Sequence, residues 1–316
     1  MPERAEPGGS TVGSEPSASG TTASPTDPDT SVPAPSIAAR IDVGEYPGGI
    51  AATEDAVWVA NGNDWSISHI DPATDRVVAT IEVASCDVGI AATDDAVWVA
   101  NGDQDTVTRI DPRTDEVIAT IDVGRRPYGL AASGDDVWVT NRDGRTVSRI
   151  DAATDEVVAT VAVGEAPSGV AATAGDVWVA NSFDDTLSRI DPGTNRVTAT
   201  VDVGEYPQFV AVTDDAVWFT VDREDGNDRT VVRADPTTGE TVDSVELGDF
   251  GYGLVATDDA LWSAGSVSLT QLDPTTMDVG SPLDVGAVGG VAATDEAVWV
   301  TNPDDNAVTR IAPGAG

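Results

Sequence analysis

From residue 36 onward the apolar side chains come in short runs of four to eight, rich in Val, Ile and Thr, each bounded by Asp, Asn, Gly or Pro. Runs of this kind read as β-strands: β-branched residues fit a pleated, half-buried surface, and the bounding residues favour turns. The second unit shows the order cleanly as VGIAAT, a turn DDA, VWVAN, a loop GDQD, TVTRI, a turn DPRTD and EVIATIDV. Its four strands are named a, b, c and d. A Trp in strand b recurs at Trp58, Trp98, Trp138, Trp178, Trp218, Trp262 and Trp299, at spacings of 40, 40, 40, 40, 44 and 37 residues. Seven such copies with little room for helix predict an all-β fold, a seven-bladed β-propeller of four-stranded antiparallel blades. The unbroken apolar run VWVA in strand b fits a strand covered on both faces by neighbouring blades, with the Trp filling the gap between them.

The ends of the repeat predict closure. The last copy stops at AVTRIAP, residues 307–313, which is a strand c with no strand d after it. The missing strand stands at the start, where SIAARIDV, residues 36–43, aligns with RVVATIEV, residues 76–83. An N-terminal strand pairing with the C-terminal blade closes the ring and removes an exposed edge. The propeller is thus expected over residues 36–316. Residues 1–35 are Ser, Thr, Pro, Gly, Ala and acids without an aromatic residue, and are expected to be a disordered acidic tail. The mixture TTASPTDPDTSVPAPS fits either a glycosylatable stalk or a solubilising tail.

Composition then limits function. All 16 cations are Arg, 41 of the 55 acids are Asp, and the net charge is −39. Such a chain offers no cationic track for a nucleic acid. Asp-rich, Lys-free composition resembles that of proteins from salt-accumulating halophiles, where a Debye length of about 3 Å at molar salt screens the self-repulsion. The lone Cys86 excludes an internal disulfide and a Cys-ligated zinc site. No apolar stretch is long enough to span a bilayer, and no signal peptide stands at the start of the sequence as given.

The phrases VWVANGDQDTVTRIDPRTDEVIATIDVG and VWVTNRDGRTVSRIDAATDEVVATVAVG resemble the YVTN-type propeller repeat, and the resemblance covers everything after residue 35. It implies a cell-surface or secreted binding or scaffold propeller. RPYGLAA, residues 126–132, also looks like the streptogramin B lyase relatives, whose metal-assisted chemistry uses histidines. This chain has one His, and His69 occupies the strand c position held elsewhere by Arg109, Arg149, Arg189 and Arg310. RADPTTGETV, residues 233–242, resembles the turn of quinone-binding propellers, but the strand d Trp of that repeat is missing here.

Repeats supply an internal control: features common to all copies read as scaffold, and single-copy additions as function. The turn aspartates Asp71, Asp111 and Asp191 and the strand b Asn61, Asn101, Asn141, Asn181 and Asn302 recur and read as structural. The d-to-a connections and b-to-c loops share one face, where the copies diverge. Apart from the repeat Trp there are nine aromatics, Tyr46, Trp65, Tyr128, Phe183, Tyr206, Phe209, Phe219, Phe250 and Tyr252, and all but Phe219 map to that face or its approach. Blade 3 adds Arg125 and Arg126 in its connection and Arg142 and Arg145 in its loop. Arg holds carboxylates and phosphates bidentately. The candidate ligand-binding set is therefore Arg125, Arg126, Tyr128, Arg142, Arg145, Tyr46, Trp65, Tyr206 and Phe209, with local charge neutralisation and a plugged channel mouth as the structural alternatives. The acidic loop from Asp222 to Asp228 is a weaker candidate for a calcium ion. No other cofactor and no catalytic residue is expected.

The sequence thus points to non-enzymatic recognition of a protein or an anionic glycan, by a monomeric propeller at the surface of a halophile's cell. The alternatives are a metal-assisted lyase or hydrolase acting through carboxylates of that face, a purely structural envelope protein, and a cytoplasmic location. Thermal melts between low and multimolar KCl test the halophilic reading: the midpoint should climb with salt, and a salt-indifferent melt would overturn it.

Overall fold

In a computed structural model, residues 34–85, 89–222, 229–248, 250–257 and 259–313 are described. They form seven sheets, each of four antiparallel strands. Blade 3 is representative, with strands Pro127–Ser133, Asp136–Asn141, Thr146–Asp151 and Glu156–Ala162 hydrogen-bonded in that order. Each strand a contacts the strand a of the next blade, and the last contacts the first, so the ring is closed around its inner strands. The seventh blade is completed by strand Ser36–Asp42, paired antiparallel to Ala307–Ala312 with Ser36 opposite Ala312 and Asp42 opposite Ala307. An ion pair from Arg40 to Asp305 ties this strand to the b-to-c loop of the same blade. Residues 1–33 of the expected tail, Cys86 and residues 223–228 of the acidic loop lie outside the described residues. Among the described residues no helix is long and apolar enough to cross a membrane.

The core is divided into seven parts, one per blade interface. Trp138 packs with Val177, Val179 and Ile190 of the next blade, and Trp178 with Val217, Phe219 and Val232 of the one after. The other five Trp do the same, Trp299 of blade 7 packing on Val57, Val59 and Ile70 of blade 1. Every strand b is buried along almost its whole length because both its faces are covered. Strand d, on the outer rim, alternates between exposed and half-buried.

Above each of six Trp sits an Arg, or in blade 1 His69, from the neighbouring strand c. Cross-strand register places Arg109 opposite Trp98 and Arg149 opposite Trp138, and the guanidinium carbons lie 5.1 and 5.4 Å from the ring centres. Arg189, Arg233 and Arg310 repeat the arrangement, and His69 stacks on Trp58 at 3.9 Å. Each of these side chains then reaches into the c-to-d turn of the following blade. His69 Nδ1 meets Asp115 Oδ1 at 2.8 Å, Arg109 Nη1 donates to Asp155 Oδ1 at 2.8 Å, and Arg149 Nη1 to Asn195 Oδ1 at 2.9 Å. Arg189 and Arg233 donate to the carbonyls of Thr237 and Thr275, and Arg310 returns to Asp75 Oδ1 at 3.1 Å on blade 1. A β-bulge falls on this position in the c–d pairing, leaving Val78, Ile118 and Val158 exposed on the rim. The seventh position, opposite Trp262, is Gln271. Blade 7, which Gln271 faces, has no covalent c-to-d turn, because its strands c and d are the two ends of the repeat.

The turns that receive these side chains are themselves organised by Asp. Asp71 Oδ1 accepts the Ala73 N–H at 2.8 Å and Asp71 Oδ2 the Thr74 hydroxyl at 2.8 Å. The Thr74 and Thr194 hydroxyls hold Asp71 and Asp191 below the usual carboxylate range. The N–H groups of Thr154, Thr238 and Thr276 do the same for Asp151, Asp235 and Asp273.

Two outcomes are expected. Trp138→Ala should cost about 3–5 kcal/mol by large-side-chain deletion, and Arg149→Ala about 1–2 kcal/mol by loss of the cation–ring contact and its hydrogen bonds, both read from denaturant midpoints in molar salt. The five turn aspartates are held below their unfolded value of about 3.9. Their stabilisation is therefore complete above about pH 4 and lost as pH falls through the lower folded values. An acid titration in molar KCl should show the melting point falling below about pH 4, and Asp191→Asn should flatten that fall.

Candidate functional site

The face opposite the c-to-d turns is built from two loops per blade that lock onto each other. In blade 3 the Arg142 N–H donates to the Arg126 carbonyl at 2.9 Å, and the Val163 N–H that ends strand d donates to the Arg145 carbonyl at 3.1 Å. Blade 1 repeats both, with Gly62 on Tyr46 at 3.0 Å and Val83 on Trp65 at 2.9 Å. This bonding forces the last loop residue and the residue ahead of strand a into the left-handed region. Tyr46, Arg126, Ala166 and Tyr206 have φ of 56°, 54°, 51° and 54°, and Trp65, Asp105, Arg145, Asp185 and Asn306 have φ of 51°, 58°, 53°, 56° and 51°.

Asp and Asn tolerate that backbone best, and in this ring they also cap. Asp105 Oδ1 accepts the Arg126 N–H of the next blade at 2.8 Å, Asp185 Oδ1 that of Tyr206 at 3.0 Å, and Asn306 Oδ1 that of Tyr46 at 2.9 Å. Trp65 and Arg145 occupy the same loop position without an acceptor to offer. Arg145 Nη2 instead pairs with Glu165 Oε1 at 2.6 Å, with both side chains largely exposed, and Trp65 is 61% exposed. Two copies have given up a stabilising cap and placed a large side chain at an unfavourable backbone angle, facing solvent.

Arg142 is the centre of the one aromatic cluster on this face that also holds a cation, among the described residues. Its guanidinium carbon lies 4.9 Å from the Tyr128 ring centre and 6.0 Å from that of Phe183, and Nη2 donates to Tyr206 Oη at 3.5 Å. Phe183 and Tyr206 are 5.8 Å apart, tilted by 34°. Blades 3, 4 and 5 thus contribute to one site. Burial pushes the Tyr128 phenol up, and the nearby Arg142 charge only partly offsets it. Tyr128 therefore keeps its proton at neutral pH. Arg125 Nη2 donates to the Asp143 carbonyl at 2.6 Å, and Arg126 is exposed. Among the described residues, no carboxylate lies within ion-pair distance of Arg125, Arg126 or Arg142.

The remaining candidates fall elsewhere. Tyr46 and Trp65 are on the same face at blade 1, exposed, with no ring contact to the cluster. Phe209 lies in strand a of blade 5, at the position of Gly129 and Gly169. Those glycines are required because an added Cβ would come within 2.3 Å of the next blade's Ser168 or Gln208 carbonyl. Phe209 is instead half-buried and packs against the core cluster between blades 5 and 6 that holds Trp218 and Leu254. Asp222, named for calcium, is buried in strand register opposite the equally buried Arg229. Phe183 was outside the candidate set, although comparing loops reveals it: the third loop position reads Asn63, Asp103, Asp143 and Phe183 in successive blades.

The cap ring yields a test. Arg145→Asn restores an acceptor for the Ala166 N–H and a residue suited to φ near 53°. It should raise stability by about 1 kcal/mol, the typical worth of a cap, and Trp65→Asn should relieve comparable strain. Thermal melts of the two single variants check this, and a loss of stability in both would refute the assignment.

No family model matches the chain, and no curated protein sequence matches it. Solved structures do. A structure described as Kuenenia stuttgartiensis hydrazine synthase superposes with a TM-score of 0.67 at 16% identity, covering 84% of this chain and 95% of that one. U3-55K gives 0.74 at 12% identity over 85% of this chain and 95% of its own, and the RRP9 WD40 repeats give 0.75 at 13% over 89% and 99%. At such identities the likeness is one of fold: the chain is a seven-bladed β-propeller similar in architecture to WD40 rings.

Proposed function

We propose that the protein is a binding module that recognises an anionic group on a protein or glycan through the loop face of blades 3–5. The observation that carries this is Arg142, ringed by Tyr128, Phe183 and Tyr206 from three blades and, among the described residues of an acid-rich protein, without a carboxylate within ion-pair distance. A cation held between rings keeps its hydrogen-bonding fork pre-oriented, and aromatic contacts survive the salt that screens exposed ion pairs. Arg125 and Arg126 extend the positive patch on the same loops. The single His supports a non-catalytic reading, since it is engaged by Trp58 and Asp115 on the other side of the ring. The YVTN-type resemblance and the Ser/Thr/Pro-rich N-terminal composition favour display at a cell surface in a salt-rich setting.

Equilibrium titration in molar KCl with polygalacturonate, polyglutamate and dextran sulfate tests the proposal. The wild type should bind at least one of them, and Arg125→Ala/Arg126→Ala/Arg142→Ala should weaken that binding by about tenfold or more, the scale of one lost charged contact. Equal binding by both proteins would make the patch a charge-compensating surface and overturn the reading.

A further inference from the structure

We infer that the Arg142 site takes a carboxylated pyranose, a sugar of the uronic-acid type within a polysaccharide. This deepens the anion-binding reading above and depends on it. With Tyr128 and Phe183 against Arg142, the guanidinium is left to act through its N–H edge, whose hydrogen-bonding partners among the described residues are two phenols, Tyr206 Oη at 3.5 Å and Tyr128, and no carboxylate. A planar fork presented edge-on matches the two oxygens of a carboxylate.

Beside that fork lies an apolar platform. Phe183 is 59% exposed, and its tilt against Tyr206 leaves ring surface open next to the charge. A pyranose has an apolar C–H face suited to such a ring, and in a uronic acid the carboxylate projects from the ring's edge. One residue of that kind can place its face on Phe183 and its carboxylate on Arg142 together. Arg125 and Arg126, both exposed, stand on the neighbouring connection to meet the next carboxylate of a polymer.

The backbone around the site argues against an extended peptide. Strand addition needs free N–H and C=O groups along an edge. Here Arg142, Asp143, Ser182 and Phe183 already donate to the carbonyls of Arg126, Arg125, Ala166 and Glu165. The N–H groups of Arg126, Glu165 and Tyr206 are taken by Asp105, Asp184 and Asp185. A peptide would have to bind through side chains alone, whereas a sugar needs only the ring and the fork.

Calorimetric titration in molar KCl with oligogalacturonate, neutral oligogalactose and oligoglutamate of matched charge tests this, using wild type, Phe183→Ala and Arg142→Lys. Both changes are in loops, and thermal melts establish that the variants are folded. Oligogalacturonate should bind, oligogalactose should not, and each variant should lose about tenfold or more in affinity, Arg142→Lys because it keeps charge but not the planar fork. Oligogalacturonate binding that ignores Phe183→Ala, or oligoglutamate bound as tightly with the same variant dependence, would overturn the sugar assignment while leaving anion recognition standing. No carboxylate binding, or binding that ignores Arg142→Lys, would remove both.

Discussion

The ring depends on one side chain used seven times, a Trp that is buried by the blade after its own. Because no blade can cover its own Trp, no blade has a complete core, and stability belongs to the interfaces. The Arg or His lying on the Trp makes this directional. It belongs by sequence to one blade and reaches the next by hydrogen bond, while Arg149 and Arg189 also grip Asp136 and Asp176 of their own blades, so each copy is fastened forward to its successor, and Arg310 carries the series across to blade 1. The exception is consistent with the rule: where the successor has no turn to receive a cation, the sequence has Gln271.

Nearly all of the architecture was legible in the sequence because it is periodic. Strand order, blade number and the closing strand each follow from comparing a copy with its neighbour. The fastening between blades was not read, since a residue common to every copy carries no hint of which copy it touches. A regular offset was nonetheless present: His69 to Asp115, Arg109 to Asp155 and Arg149 to Asn195 all span 46 residues. The site was only partly legible. Divergence between copies marked Arg142, Tyr128 and Tyr206, but Phe209 also diverges, and there the cause is core packing in place of a glycine. Departure from the repeat shows that something differs at a position, while solvent or core on the other side decides what.

The two faces obey different economies of substitution. On the turn face the strand c Arg and His side chains have partners in the next blade, and a change there propagates along the ring. On the loop face the carbonyls are satisfied within each blade and the caps involve one loop position per blade, so the other side chains can be exchanged at limited cost to the fold. Trp65 and Arg145 show that the cost is not zero, since each replaces a cap. Substitution on this face is thus set against stability residue by residue.

The closing strand also fixes how the molecule responds to force. Ser36 and Ala312 lie side by side, and Asp42 ends at the opposite face, where the Arg142 site is. Pulling the two ends of the ring away from each other peels Ser36–Asp42 from Ala307–Ala312 one pair at a time, as a zip opens. A load between Ser36 and a ligand held on the loop face runs along the strand instead, shearing its whole ladder at once. The same seven residues are therefore weak against one direction of tension and strong against the one that binding would impose.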